Sequence, residues 1–299
     1  MRKGRGKIML FWCRANNFGD EIGPYVVSCL SGKNVVYREV RNRKVKDYVR
    51  LLIDILKRAI KYKPLFLDRL YLVINSKVLL TVGSILKDSG KNCTVWGSGI
   101  MLKNDCVNGG EFRAVRGILS QKRLVELGYD PPKIIGDPAL LLPLTYRPKI
   151  DKKYFLGVIP HKWDYKEIAI FLKGQDGVLL IDLSDSVEQV IDKINSCERV
   201  ISTSLHGIIV SHAYGIPALW FKKGYIGVDN VKFDDYFGSV CIDSYTPFEF
   251  NDTMSFSSDE VERFFEINKN ISICQAEIIH NICSGLLSVA PFEIIEKYK

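Results

Sequence analysis

Short apolar runs alternate with amphipathic segments along most of the chain. Ile8 to Trp12 and Val35 to Glu39 predict strands, and the helical spacing from Asp20 to Leu30 predicts a helix between them. The same alternation continues through Ala218 to Phe221, and a helical pattern fills the tail from Ser258. Strands that alternate with helices are typical of an α/β protein with mainly parallel sheets.

A polar stretch marked by prolines, Pro143 to Lys153, interrupts this rhythm. We place a domain boundary there, with a first domain at residues 1–145 and a second at residues 150–299. The prediction is an α/β protein of two Rossmann-like domains facing a cleft, with a helical C-terminal tail. Ligands of such sheets bind beyond the carboxyl ends of the strands, so the interdomain cleft is the predicted site.

The composition narrows the class of protein. Of 299 residues, 47% are apolar and 25% are charged, as in an ordinary globular protein. No apolar run approaches the roughly 18 residues of a membrane span, and the short run after the basic residues 2–7 does not make a secretory signal. These features predict a cytoplasmic protein. The eight cysteines show no metal-ligand spacing, so no metal is predicted.

The positive charge is concentrated in one segment. The formal net charge is +8, and residues 38–71 contain eleven Lys or Arg and four Asp or Glu, a net +7. Within this segment, residues 44–63 have the spacing of a basic amphipathic helix. Such a helix either packs on the core with its basic face in water or lies on an anionic membrane surface, which would make the protein peripheral to the inner face of a membrane. No nucleic-acid-binding motif accompanies the charge, so nucleic acid is not a predicted partner.

Two segments have the composition of ligand-binding turns. Ser202 to Gly207 lies between a predicted strand and a predicted helix, and its hydroxyls, imidazole and glycine could form an anion cradle with a proton-transfer group. The alternative for this segment is a capped helix with a structural histidine. Asn17 to Asp20 follows the first strand, where Gly19 permits close backbone approach and Asp20 is expected to cap the next helix.

These segments, taken with others, resemble a known family. Together with Trp96 to Gly99, Val115 to Gly117, Gly136 to Pro143 and Ile159 to Lys162, they are similar to the polysaccharide pyruvyl transferase family, in its order, over about residues 8–236. The resemblance implies a two-domain fold like that of the GT-B glycosyltransferases, with phosphoenolpyruvate as donor substrate and no cofactor. It also implies a saccharide acceptor of a surface polysaccharide or exopolysaccharide, on which a pyruvate ketal bridges two hydroxyls while phosphate leaves. Whether the acceptor is lipid-linked is left open.

The resemblance and the chemistry assign candidate roles, with the first domain on the acceptor side and the second on the donor side. One departure is evident, because many members carry Arg-Leu-His-Gly where this chain has Ser204-Leu205-His206-Gly207. Another cation is therefore expected to take the place of the missing guanidinium in holding the donor. Arg123 is the second choice for the guanidinium that binds the donor. The candidates are His206 and Asp20 as catalytic residues; Arg116, Ser204, Gly207 and His161 as donor-binding residues; and Asn17, Gly19 and Asp137 as acceptor-binding or loop residues.

Two rival functions stay open at the level of the sequence. A nucleotide-sugar glycosyltransferase would use the same architecture, and its ribose contact could come from Asp229, Asp234 or Asp235. A scaffold in a polysaccharide assembly complex would retain the fold with a degenerate site, which the Ser204 departure allows.

Overall fold

Two parallel sheets organise the protein in the computed structural model, which describes residues 6–15, 17–40, 77–223, 230–250 and 256–298. In that part of the chain, the first sheet has six strands in the order β2-β1-β3-β4-β5-β6 and the second has five in the order β11-β10-β9-β7-β8. The strands are β1 (Lys7–Phe11), β2 (Asn34–Tyr37), β3 (Val78–Leu80), β4 (Cys93–Ser98), β5 (Glu111–Val115), β6 (Ile134–Ile135), β7 (Tyr154–Ile159), β8 (Val178–Leu180), β9 (Cys197–Ser202), β10 (Ala218–Lys222) and β11 (Phe248–Glu249).

Helices connect and cover these strands. Three short 3-10 turns, at Leu86–Asp88, Pro138–Leu141 and Glu296–Tyr298, add to the helices in the described residues. The predicted basic helix at residues 44–63 lies outside the described residues. The helices are α1 (Phe18–Ser31), α2 (Ile118–Glu126), α3 (Leu142–Thr145), α4 (Tyr165–Phe171), α5 (Val187–Asn195), α6 (Leu205–Ala213), α7 (Val231–Ser239), α8 (Ser258–Ile267), α9 (Lys269–Ser272) and α10 (Ala276–Ser288).

The predicted fold class, two parallel α/β halves with a helical C-terminal region, is confirmed. Strands of a parallel sheet that are covered on both faces consist of nearly continuous apolar runs. Strand β4 is such a strand, because each of its residues is buried. Helix α1 begins at Phe18 and not at Asp20 because Asn17, in extended conformation, occupies the N-cap position. The expectation that Asp20 caps this helix was therefore wrong, since Asp20 lies in the first helical turn.

Each sheet reverses its strand order at one place. In the first sheet β1 lies between β2 and β3, and in the second β7 lies between β8 and β9. Connections leave the two central strands on opposite faces of a sheet at such a point, and a crevice opens at their carboxyl ends. The chain that follows β1 carries Asn17, and the turns that follow β7 and β9 carry His161 and Ser204. Topology thus places three of the predicted site segments at switch points.

The C-terminal helix α10 packs against the first sheet, although it follows the second half in the chain. The indole Nε1 of Trp96 in β4 donates to the Leu286 carbonyl at 2.9 Å, and the ring of Phe292 lies edge-on to Trp96 at 5.3 Å. Further on, the Ile295 amide donates to the Leu30 carbonyl at 2.9 Å. The prediction grouped these residues with the second domain. The boundary at residues 145–150 stays a prediction, but the tail returns to the first half because its apolar face is buried there.

A buried ion pair joins the two halves. The Arg116 guanidinium, directly after β5, is fully buried, with Nη2 at 3.0 Å from Oδ2 of Asp235 on α7. Its Nη1 also donates to Ser84 Oγ at 2.6 Å and its Nη2 to the Ile100 carbonyl at 2.6 Å. Oδ1 of Asp235 accepts from the Ser120 amide at 2.8 Å. Both charges are therefore paired and hydrogen-bonded, which a buried pair needs in order to offset its desolvation.

Glycines permit the close approach around this pair. A Cβ added at Gly99 would lie 2.4 Å from Cζ of Arg116, and one added at Gly117 would lie 1.7 Å from the Asp235 carbonyl oxygen. Any side chain at these positions would displace the guanidinium or α7. The Arg-Gly pair at 116 and 117 is thus required for packing between the halves.

We predict that Asp235→Asn destabilises the protein by about 3–5 kcal/mol, because it leaves the Arg116 charge buried without a counter-ion. The matched control is Glu126→Gln, which breaks the exposed pair between Arg123 and Glu126 and should cost about 0–1 kcal/mol. Urea denaturation of the three proteins measures the free energies of unfolding. Equal losses in the two variants would contradict the structural role of the buried pair.

Candidate active site

Two turns of the second half are tied together at the switch point. The Thr203 hydroxyl accepts a hydrogen bond from the His161 amide at 2.6 Å and donates to Oδ2 of Asp164 at 3.1 Å. The Thr203 amide donates to the Ile159 carbonyl at 3.0 Å. The turn after β7 and the turn after β9 therefore form one rigid unit, which fixes the position of His161 relative to Ser204.

Ser204 and Gly207 shape the start of α6. Ser204 is the N-cap residue in extended conformation, but its side chain makes no capping hydrogen bond. The Ser204 amide donates to Ser202 Oγ at 3.0 Å, and a Cβ added at Gly207 would lie 2.4 Å from that same oxygen. Gly207 is needed so that the helix can begin this close to the end of β9.

His206 is the central titratable group. Its Nε2 is buried and has no hydrogen-bond partner. Burial, followed by the positive charges of Arg116 and Lys232, lowers the pKa of His206 to about 3. The imidazole is therefore neutral near pH 7. A buried ring nitrogen without a partner is unusual and marks a position where a ligand atom could bind.

The start of α1 faces this imidazole from the first half. A Cβ added at Gly19 would lie 2.3 Å from Nδ1 of His206, so only glycine allows the contact. The Phe18 amide donates to the Leu183 carbonyl of the second half at 2.7 Å. Oδ1 of Asn17 is buried without a hydrogen-bond partner. Asn17, Gly19 and His206, predicted separately, thus come together at one cleft.

Asp20 is the carboxyl group next to the Gly19 contact. Burial, followed by the negative charge of Glu21, raises the pKa of Asp20 to about 6, and the positive charge of Lys162 opposes that rise. Lys162 belongs to the turn after β7, so charges from both halves meet here. A carboxyl group with a pKa near neutrality can donate or accept a proton.

His161 and Lys232 complete the positive side of the cleft. Burial, followed by the charge of Lys232, lowers the pKa of His161, while Asp164 opposes this. Lys232 lies in the first turn of α7 and is partly buried. Burial and the neighbouring Arg116 charge lower the pKa of Lys232. The charge of Lys232 therefore acts on both histidines of the site.

Asp137 orders a turn beside the cleft. Its Oδ1 accepts from the Ala139 amide at 2.9 Å and caps the 3-10 turn Pro138–Leu141, against which α1 and α6 both pack. Its Oδ2 is buried without a partner, and burial raises the pKa of Asp137 to about 6. The loop role expected for Asp137 is seen directly, while contact with an acceptor stays a prediction.

Arg116 and Arg123, the predicted donor-binding guanidiniums, are both engaged with protein groups. Arg116 is fully buried in the pair with Asp235. Arg123 donates from Nε to the Asp105 carbonyl at 2.7 Å and from Nη1 to Glu126 at 2.9 Å. Both geometries give these arginines structural roles, because each forked donor is already satisfied. A direct contact of Arg116 with a donor stays an untested prediction.

Sequence reasoning assigned no role to three residues that the structure places at the cleft, Lys162, Lys232 and Trp163. Lys232 belongs to no motif, and only the three-dimensional position of α7 reveals it. Trp163 is 78% exposed, unusual for so large an apolar ring. Its ring stacks near that of His161 at 6.4 Å and lies under Lys162 Nζ at 5.1 Å. Within the described residues, no cluster of three or more potential metal-ligating side chains occurs.

The fold defines an α/β protein with two parallel sheets, and the candidate site lies where both sheets reverse their strand order. Comparison with known families makes the assignment specific, because residues 17–222 match the polysaccharide pyruvyl transferase family. The chain belongs to this family. The match covers Asn17, Arg116, Asp137, His161 and His206, which the sequence had singled out.

Individual relatives add little about function. The chain is 34% identical over 168 residues to an uncharacterized protein of Acanthamoeba polyphaga mimivirus, a match that covers 52% of this chain and 57% of that protein. Two structures of the E. coli heptosyltransferase WaaC, one with ADP and one with ADP-2-deoxy-2-fluoro heptose, each cover 88% of this chain and 100% of their own. Their identities are 12% and 10% and their TM-scores are 0.37 and 0.38, so no argument about function rests on them.

The lowered pKa of His206 predicts a pH-dependent stability. The unfolded chain, with an ordinary histidine pKa of about 6.5, binds more protons than the folded protein below that pH. The stabilisation is fully present above pH 6.5 or so and is lost as the pH falls towards the folded value of about 3. Between pH 7.5 and 5.5, the wild type should lose about 1 kcal/mol more stability than His206→Gln.

Urea denaturation at the two pH values measures this difference. The control is His280→Gln, since His280 is exposed on α10. A pH dependence that is the same in wild type and His206→Gln would show that His206 titrates normally.

Proposed function

We propose that the protein transfers the pyruvyl group of phosphoenolpyruvate onto two hydroxyls of a saccharide, as a cyclic ketal, and releases phosphate. One observation carries the proposal, the buried Nε2 of His206 without a partner at the meeting point of both halves. It is supported by membership of the polysaccharide pyruvyl transferase family. The charges of Arg116 and Lys232 that lower the pKa of His206 also provide a field that favours an anionic donor.

The reaction has to account for the two protons that the acceptor hydroxyls lose. Two acceptor oxygens bond to C2 of phosphoenolpyruvate while the bond from C2 to the phosphate oxygen breaks. One proton equivalent is delivered to C3, which becomes a methyl group, and the other leaves with phosphate. The site therefore needs one group that accepts a hydroxyl proton and one that donates a proton to carbon.

The two catalytic candidates can divide this work. His206 is neutral near pH 7, so its ring can accept the proton of an attacking hydroxyl. Asp20, with a pKa raised to about 6, is closer to the proton-donating range and lies next to Gly19, which touches the imidazole. The physical reason for this division is that burial favours the neutral form of both groups.

We place the acceptor at the edge of the cleft where Trp163 is exposed, which belongs to the second half and not to the first half that was expected from the sequence. A flat, exposed indole can cover the apolar face of a sugar ring, and its amphipathic character suits a wet binding surface. Trp163 lies two residues after His161, so a saccharide on this ring would extend towards His161 and His206. Asn17 faces the same cleft with a carbonyl oxygen that has no partner and could accept a sugar hydroxyl.

The location of the reaction stays a prediction from sequence. No helix in the described part of the chain has the length and apolar character to cross a membrane. Cytoplasmic location, a lipid-linked acceptor and binding of residues 44–63 to an anionic membrane belong to the proposal alone, and that segment lies outside the described residues.

The direct test incubates the protein with phosphoenolpyruvate and galactose, glucose and mannosamine glycosides, and follows ketal formation by mass spectrometry and phosphate release. His206→Gln should lower turnover by about 100-fold or more, the scale of a general acid or base. His280→Gln, on an exposed helix surface, serves as the matched control. Ketal formation at near wild-type rate in His206→Gln would remove the imidazole from the mechanism, and release of phosphate without acceptor would point to a different reaction.

Replacement of Trp163 should weaken acceptor use and leave donor use unchanged. Loss of one aromatic contact is worth about 1 kcal/mol, so Trp163→Ala should raise the acceptor KM about five-fold or more with little change in the KM for phosphoenolpyruvate. Ile170→Ala is the control, because Ile170 is 76% exposed on the neighbouring helix α4. An acceptor KM that rises equally in both variants would show a general surface effect.

A further inference from the structure

The turn before His206 lacks the arginine that many family members carry. Ser204 supplies a hydroxyl and an amide there, and neither carries a charge. Arg116, whose charge lowers the pKa of His206, is held in its pair with Asp235. Lys162, the cation of the β7 turn, has the Asp20 carboxyl in its field. The charge that would hold an anionic donor beside His206 therefore has to come from another residue.

Helix α7 holds Lys232 in a fixed position. Lys232 precedes Asp235 by three residues, so the two side chains project from the same face of the helix, one turn apart. Asp235 is anchored by Arg116 and by the Ser120 amide and hydroxyl. The buried pair between the halves thus determines where Lys232 stands relative to the cleft.

Among the described residues, Lys232 forms no ion pair with a carboxylate, and its Nζ lies 5.3 Å from the centre of the Phe233 ring. The side chain is partly buried, and Arg116 adds a repelling positive charge. A cation in such surroundings is costly unless a counter-ion binds there. Its field reaches both His206 and His161, so the free charge is directed at the cleft.

We propose that Lys232 is the donor-binding cation of this protein and contacts an anionic group of phosphoenolpyruvate beside His206. It takes the place of the guanidinium that the family pattern puts at position 204. This inference rests on the proposed function. An ammonium binds as a point charge and not as a two-pronged fork. The orientation of the donor therefore depends on the backbone amides of the first turn of α6, which follows Ser204.

The experiment compares Lys232→Gln, the double variant Lys232→Gln with Ser204→Arg, and the control Lys122→Gln. Lys122 is exposed on α2 and carries the same charge outside the cleft. Isothermal calorimetry measures binding of phosphoenolpyruvate and of inorganic phosphate, and steady-state kinetics gives KM and kcat. Loss of one charged hydrogen bond should weaken phosphoenolpyruvate binding by about 10- to 100-fold in Lys232→Gln. Ser204→Arg should restore part of that loss, and Lys122→Gln should bind as the wild type does.

A stability measurement separates this role from a structural one. Removal of an uncompensated charge should leave Lys232→Gln at least as resistant to urea as the wild type in phosphate-free buffer, whereas loss of a structural contact would lower its resistance. Unchanged anion binding in Lys232→Gln, or no anion binding by the wild type, would overturn the inference. Anion binding through Lys232 without ketal product would retain the site and defeat the proposed function. Ketal formation by Lys232→Gln with an unaltered KM for phosphoenolpyruvate would support the proposed function and contradict the role of Lys232.

Discussion

The rest of the structure depends on the ion pair between Arg116 and Asp235. Both side chains are fully buried, so the pair is tolerable only because every strong donor and acceptor in it is satisfied. That requirement brings α7 of the second half against the end of β5 in the first, and it excludes side chains at Gly99 and Gly117. Helix α7 therefore forms a fixed wall of the cleft. Side chains on α7 stand at a constant distance from the turns after β7 and β9.

The same pair sets the electrostatics of the cleft. Asp235 compensates Arg116 locally, but the positive charge of Lys232, one turn away, has no carboxylate among the described residues. Burial, together with the charge of Lys232, lowers the pKa values of His206 and His161. Asp20, which is half-buried, and Asp137, which is fully buried, have raised pKa values because burial disfavours their charged forms. The neutral imidazole of His206 and the positive charge of Lys232 together favour binding of an anion.

The sequence predicted the sheets well because strand burial and turn chemistry are local properties. The alternation of elements located the turns after β1, β7 and β9, and topology alone then brings Asn17, His161 and His206 to one place. The buried ion pair of Arg116 was not predicted, because a sequence shows an arginine after a strand but not the carboxylate that meets it 119 residues later. Lys232 was missed for the same reason, since its role depends on where α7 docks. The return of α10 to the first sheet likewise depends on tertiary packing.

The position of the cation explains why Ser204 and Lys232 suit each other in one chain. An arginine at position 204 would stand at the start of α6 beside His206, within the field that Lys232 and Arg116 already make. Two unpaired cations facing the same cleft would repel each other until an anion bound, and like charges in a low-dielectric region cost more than they do in water. A serine at the turn avoids that repulsion and leaves an anion the backbone N–H groups of the first turn of α6. The family pattern can therefore lose its guanidinium without losing the charge, provided that the buried pair keeps α7 in place.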